Sequence, residues 1–276
     1  MRRIFFFICF AGSLFCIPAA LKHFTQGFRL AKMQFEAPSF FPEARPTEEV
    51  LSIFNQSFHY LDRGAQCYVF SSFDEKYVIK LFRASPPSPN PFHSFWKKKK
   101  KRTSFHTKIY RLFSACHIAA TELPNETAIV YTHLNLTKET LPILRVRDPI
   151  GRKYLLPLDE YRFVLQKKAD PFRETLEKAI QNPHKMEQCL NSFYELLLSR
   201  VQKGIGNSDP TLSRNFGFLG ERAVEIDFGS YFPDPRLSSS EGRKIEIHRY
   251  INRLEKWLEK NAPEWADYFD QKRGQS

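Results

Sequence analysis

Cysteine is scarce in this chain, with 5 in 276 residues. Cys9 and Cys16 fall in an apolar leader, while Cys67, Cys116 and Cys189 are scattered and form no CxxC pair. That spacing excludes a disulfide scaffold and a structural zinc site, leaving buried free thiols in a reducing compartment as the plain reading. The 8 histidines make no HxxxH or HExxH pair, which argues against a zinc enzyme. No Gly-x-Ser-x-Gly occurs, so the α/β-hydrolase design is disfavoured. No internal repeat is present, and no second apolar run follows the leader. Acidic residues are also in deficit: 30 against 42 basic ones, a formal charge of +12. Such a balance favours anionic partners, namely phosphates, nucleic acid or acidic lipid, without choosing among them. Nothing in the pattern points to specific nucleic-acid recognition.

Apolar residues make up 42% of the chain and aromatics 15%, including 27 Phe. This is a core-forming composition, not that of a disordered chain. Met1-Arg2-Arg3 opens a basic start, and Ile4 to Ala20 then runs without a charge, with Pro18 near its end. At about seventeen residues this run is at the lower limit for a membrane span, and it also fits a secretory signal peptide. Both readings predict one apolar helix over residues 4–20 and a membrane-associated or secreted protein. Residues 21–55, punctuated by Pro38, Pro42 and Pro46, are expected to be a linker.

The remaining texture changes along the chain. Cys67–Phe70 and Tyr77–Phe82 are β-rich runs joined by a turn-like stretch, predicting an antiparallel hairpin. Lys97–Arg102 is a basic run that could meet anionic lipid or nucleic acid, imitate a nuclear signal, or simply be a solvated loop. Phe105, Ile109, Leu112, Phe113, Cys116 and Ala120 then recur at helical spacing, predicting a helix from Thr103 to Thr121. Strands are expected at Ala128–Tyr131, Pro142–Val146 and Tyr161–Gln166. A second helix runs through Cys189, Phe193, Leu197 and Val201, with Gly204 and Gly206 ending it. Ile247, Tyr250, Ile251, Leu254 and Leu258 mark a last helix. Strands dominate the first half and helices the second. The expectation is an α+β protein of two lobes, a β-rich one over 56–168 and a helical one over 169–276.

Four elements carry possible chemistry. Gly64 is read as lying in the hairpin's first strand, ahead of Tyr68-Val69, where a glycine lets backbone approach a phosphate. Lys80 sits inside an apolar strand run. Asp209 follows an apolar helix, with Asn215 shortly after it. Asp227 ends a short apolar strand ahead of Phe228-Gly229. Carboxylate and amide oxygens suit Mg²⁺, and an aspartate can orient or deprotonate a hydroxyl.

In this order the segments resemble the protein-kinase superfamily. The resemblance implies a bilobal kinase-like fold that binds Mg²⁺-ATP. Gly64 would cover the phosphates, Lys80 would pair with them, Asp209 would act as base, and Asn215 and Asp227 would hold Mg²⁺. It covers residues 60–230. The departures are specific. Asp62 and Cys67 stand where the loop's outer glycines belong, and Asn207-Ser208 replaces the His-Arg before the aspartate. The spacing from Asp209 to Asn215 is one residue longer than the family's. The helix expected over 103–121 holds no acid to pair with Lys80, and Glu122, just past its end, is the candidate. No Ala-Pro-Glu follows Asp227, and 47 residues follow Gly229. That is more similar to small-molecule or atypical kinase-like folds. Three readings stay open: a divergent phosphotransferase, a kinase-like module that binds nucleotide without turnover, and a basic membrane-surface protein with no nucleotide site.

Overall fold

The computed structural model describes residues 23–37, 41–42, 44–84 and 95–270. The apolar helix expected over residues 4–20 lies outside them. Among the described residues no helix is long and apolar enough to cross a membrane.

The fold is α+β. The strands are β1 (Ser57–Arg63), β2 (Cys67–Ser72), β3 (Tyr77–Phe82), β4 (Ile129–His133), β5 (Ile143–Arg147), β6 (Lys153–Pro157), β7 (Phe163–Lys167), β8 (Asp170–Pro171), β9 (Ile205–Asn207), β10 (Phe216–Leu219), β11 (Arg222–Glu225) and β12 (Tyr231–Pro233). The α-helices are α1 (Glu48–Ile53), α2 (Phe95–Glu122), α3 (Pro124–Thr127), α4 (Phe172–Ala179), α5 (Pro183–Gln202), α6 (Leu212–Asn215) and α7 (Ser240–Asn261). A mixed seven-stranded sheet has the order β4-β7-β3-β2-β1-β5-β6. Among the described residues, contacts divide the chain into two compact units: 23–37, 42, 44–84, 95–102 and 133–165 in one, and 41, 103–132 and 166–270 in the other.

In the first unit, β2 and β3 form the expected antiparallel hairpin, with Tyr68 opposite Leu81 and Phe70 opposite Ile79. All four of these side chains are buried. A strand not expected from the sequence, β1, pairs antiparallel with β2, and the expected strand at 142–146 lies parallel to it as β5. Gly64, read as lying within a strand, sits instead in the turn between β1 and β2. The β1 segment, Ser-Phe-His-Tyr-Leu-Asp-Arg, mixes polar and apolar residues without strict alternation, which hides it from a period-two reading.

Part of the stretch expected as a linker is built into this unit. Phe28 sets its ring against Tyr60, Tyr68, Phe70 and Tyr154, at centroid distances of 6.2, 5.0, 5.9 and 5.8 Å. The Tyr68 hydroxyl donates to the Gly27 carbonyl at 3.0 Å and accepts from the Arg29 N–H at 3.1 Å. Met33 is 1% exposed. Helix α1 starts at a Thr47 cap, which accepts from the Val50 N–H, and carries Glu48 and Glu49 in its first turn. Those acids complement the helix dipole. Val50, Ile53 and Phe54 go into the core. Val50, Ile53 and Phe54 stand at helical spacing, whereas Phe28 and Met33 show no period, and only tertiary packing makes them core.

The second unit has a helical core. Helix α2 extends upstream of the expected start at Thr103, so Lys97–Arg102 lies in its opening turns, which belong to the first unit, and the helix from Thr103 on belongs to the second. Ile109, Leu112, Phe113, Cys116 and Ala119 are buried along one face. Asn182 caps α5, and Pro183 fills its first turn. Met186, Cys189, Leu190, Phe193, Leu197 and Val201 then line its inner face against Ile247, Tyr250, Ile251, Leu254 and Leu258 of α7. Trp257 and Trp265 pack at the edge of this core, partly buried. Gly204, at φ +72°, ends α5 in the left-handed conformation that glycine adopts without strain. Gly206 does not belong to that cap. It lies in β9, where a Cβ would fall 2.9 Å from the Phe232 ring.

Because Phe28 fills an aromatic pocket, Phe28→Ala is expected to cost about 3–5 kcal/mol, as for other buried phenylalanines. A residue in a true linker would cost nothing. Urea unfolding of the two proteins measures the difference.

Candidate functional site

Within the second unit, the helix α5 ends with Arg200, which is completely buried. A buried guanidinium must be paired. Arg200 Nε lies 3.4 Å from Glu225 Oε2, an ion-pair contact rather than an aligned hydrogen bond, and Nη1 lies 3.4 Å from Glu246 Oε1. Nη1 also donates to the Ile205 carbonyl at 3.3 Å. The guanidinium faces the ring of Tyr250 at 4.9 Å and that of Tyr231 at 5.9 Å. Burial alone would lower its pKa, but Glu225, with Tyr250, Tyr231 and Glu246, holds it above the usual arginine value.

Glu225 also accepts the Tyr231 hydroxyl and the Asn207 side-chain amide, each at 2.6 Å. Complete burial pushes its carboxyl upward, opposed by Arg200 and by these two donors. Glu246 takes a second cation, Arg249, at 2.6 Å, and Arg249 donates to the Asn207 carbonyl at 3.2 Å. Two arginines and two glutamates thus balance in charge. Together they fasten α5, β9, β11, β12 and α7 around Asn207.

Asn207 passes this order to the loop that follows. Its Oδ1 accepts the Asp209 N–H at 2.9 Å. The Asp209 carboxylate accepts both the hydroxyl and the N–H of Thr211, at 2.6 and 3.1 Å. Asn215, at the end of the single-turn α6, donates from its side-chain amide to the Asp209 carbonyl at 2.9 Å. The Asn215 carbonyl in turn accepts the N–H groups of Ile226 and Asp227, at 2.6 and 3.2 Å. One residue therefore ties Asp209 to Asp227. Asp227 is exposed, and its Oδ1 accepts the Gly229 N–H at 3.2 Å. The Thr211 hydroxyl, with Asn215, the Thr211 N–H and Arg214, holds the Asp209 carboxyl below the usual aspartate range.

Of the residues expected at the site, the second unit brings together Asp209, Asn215 and Asp227. As residue types, two carboxylates and an amide are ligands for a hard cation, although Asn215 is buried and its bonds reach backbone groups of the two aspartates. No group of three or more His, Cys, Asp or Glu suited to a metal occurs among the described residues. Gly64 and Lys80 belong to the first unit. There the Arg83 guanidinium donates to the Gly64 carbonyl at 2.9 and 3.3 Å, binding the β1–β2 turn to the end of β3. Lys80 stands opposite Val69 in the hairpin and is half-buried. Glu122, expected to supply an acid for Lys80, closes α2 with an exposed side chain that forms no ion pair among the described residues. Its backbone carbonyl accepts the Lys203 ammonium. The acid engaged in this region is Glu126, which accepts from Ser199 and lies 3.4 Å from Lys203.

Sequence reasoning passed over Arg200, Glu225 and Glu246, and noted Asn207 only as a departure from a motif. A signal was present. Arg200 interrupts the apolar face of α5, and Glu225 interrupts an apolar strand; two opposite charges at buried positions are evidence for each other.

No family model matches the chain, and no curated protein matches it. Among solved structures, a 2.2 Å crystal structure of WbdD is similar over 76% of this chain and 38% of that one, at 16% identity and a TM-score of 0.37. A co-crystal structure of WbdD with the kinase inhibitor LY294002 is similar over 72% and 36%, at 14% identity and a TM-score of 0.34. A structure of the bifunctional kinase-methyltransferase WbdD is similar over 70% and 33%, at 15% identity and a TM-score of 0.35. The chain spans well under half the length of these proteins, and at such TM-scores the likeness does not establish a shared fold.

Breaking the buried pair on one side strands the other charge. Arg200→Met is expected to destabilise the protein by about 3–5 kcal/mol, read from the urea midpoint. Acid should act through the carboxylates held low. Asp209 and Asp234, the latter hydrogen-bonded by the Arg236 guanidinium, both have depressed pKa values in the fold. Their stabilisation is present above the unfolded value of about 4 and is lost as pH falls through the folded value. The thermal midpoint should therefore drop below about pH 4, and Asp234→Asn should flatten part of that slope.

Proposed function

We propose that this protein is a divergent kinase-like protein that binds Mg²⁺-ATP and transfers phosphate to a hydroxyl acceptor. The observation that carries the reading is the Asn215 bridge, which holds Asp209 and Asp227 in one loop cluster. Three residues whose order suggested a kinase resemblance are thus physically coupled. In this reading Asn215 and Asp227 hold Mg²⁺ by oxygen donors, and the metal would neutralise phosphate charge when bound. Asp209, kept ionised by Thr211, orients the acceptor hydroxyl. The resemblance assigns the phosphates to Lys80 and to the Gly64 turn, which Arg83 stiffens.

A second reading, nucleotide binding without turnover, is favoured by two observations. Glu122 has an exposed side chain with no ion pair among the described residues, and Oδ1 of Asp209 already accepts two hydrogen bonds from Thr211.

A thermal shift decides whether nucleotide binds at all. Millimolar Mg²⁺-ATP should raise the midpoint by several degrees, since a ligand at a hundred times its Kd stabilises by about 2.7 kcal/mol. Asp227→Asn, a change at an exposed side chain, should leave the free protein's midpoint near the wild-type value and remove the shift. Lys80→Ala should weaken it. No shift in the folded wild-type protein would overturn the proposal. Release of labelled phosphate, lost in Asp209→Asn with binding retained, separates the enzyme from the inactive module.

A further inference from the structure

The first unit carries an outward sheet face that neither the motifs nor the nucleotide reading use. In the β5–β6 hairpin, Leu144, Val146 and Leu156 point inward and are fully buried. The alternate residues point outward. Antiparallel pairing puts Ile143 opposite Pro157, Arg145 opposite Leu155 and Arg147 opposite Lys153 on that outer face. Ile143 is 59% exposed, Leu155 69% and Ile150, at the hairpin tip, 43%. Arg145, Arg147, Arg152 and Lys153 are exposed around them. The hairpin's acid, Asp148, is turned inward: it is buried and accepts the N–H groups of Ile150 and Arg152 and the Tyr154 hydroxyl. On the neighbouring β1, His59 lies beside Arg147 in register, and Glu75 is tied to it at 3.1 Å. Strand β6 is the last of its sheet.

We infer that this hairpin docks on an anionic lipid surface. Clustered guanidinium and ammonium groups attract lipid phosphates, and branched apolar side chains between them enter the headgroup layer. Two further features fit a membrane. The chain as a whole carries +12. The uncharged run Ile4–Ala20 ends eight residues before Phe28, whose ring lies 5.8 Å from Tyr154 on the inward face of β6. The eight residues from Ala20 to Phe28 span at most about 28 Å when fully extended. A lipid-inserted run would therefore keep the hairpin near the bilayer surface, where even weak contacts gain from tethering.

The test is co-sedimentation of the full-length chain with phosphatidylcholine vesicles, with and without phosphatidylserine. The apolar N-terminal run contributes to both, so the difference between them reads the basic groups, and the variants assign it to the hairpin. Wild-type protein should prefer the anionic vesicles, and the preference should shrink as salt rises. Arg147→Glu/Lys153→Glu should weaken binding to the anionic vesicles by about twentyfold or more. Leu155→Ser/Ile150→Ser should weaken binding to both kinds. All these positions are exposed, so circular dichroism and the thermal midpoint should be unchanged. An undiminished anionic preference in Arg147→Glu/Lys153→Glu would overturn the inference and point to Lys97–Arg102 instead. Loss of a concentration-dependent dimer in Leu155→Ser/Ile150→Ser, with vesicle binding intact, would overturn it in favour of a second copy of the chain.

Discussion

A guanidinium with no access to water governs the second unit. Arg200 could not be buried at the end of an apolar helix unless acids met it there, and Glu225 and Glu246 do so. Each glutamate then needs further partners, which come from Tyr231, Asn207 and Arg249. The demand spreads outward because an unpaired charge or polar group inside a protein is costly. Its effect is to set the positions of five separate elements from one point.

The loops that hold Asp209, Asn215 and Asp227 inherit that order. Asn207 is the shared member: its amide donates to Glu225 and its oxygen accepts from Asp209. Asn215 continues the chain of bonds to Asp227. These polar loop groups thus rest on a buried ionic support. Such an arrangement keeps a site rigid without giving it an apolar floor.

The first unit follows a different rule. Its sheet is held by aromatic side chains, with Phe28 from outside the sheet touching four rings. Arg83 serves both structure and loop, lying 5.1 Å from the Tyr68 ring while donating to the Gly64 carbonyl. The same sheet buries one side of the β5–β6 hairpin and leaves the other charged and apolar in turn. Period-two alternation explains both faces.

Local pattern was enough for much of this. The β2–β3 hairpin, the strands at β4, β5 and β7, the helices α5 and α7 and the order of Lys80, Asp209, Asn215 and Asp227 were all legible, because each depends on residues adjacent or one helical turn apart. Strand β1, the packing of Phe28 and Met33, the place of Gly64 in a turn and the exposure of Glu122 were not, since each depends on partners far away in the chain. The ionic network shows the limit most clearly. By itself the sequence determined that a charge stands at position 200 on an apolar helix face and another at position 225 in an apolar strand. Only the tertiary structure decided that they meet, because burial gives each charge the other as its partner.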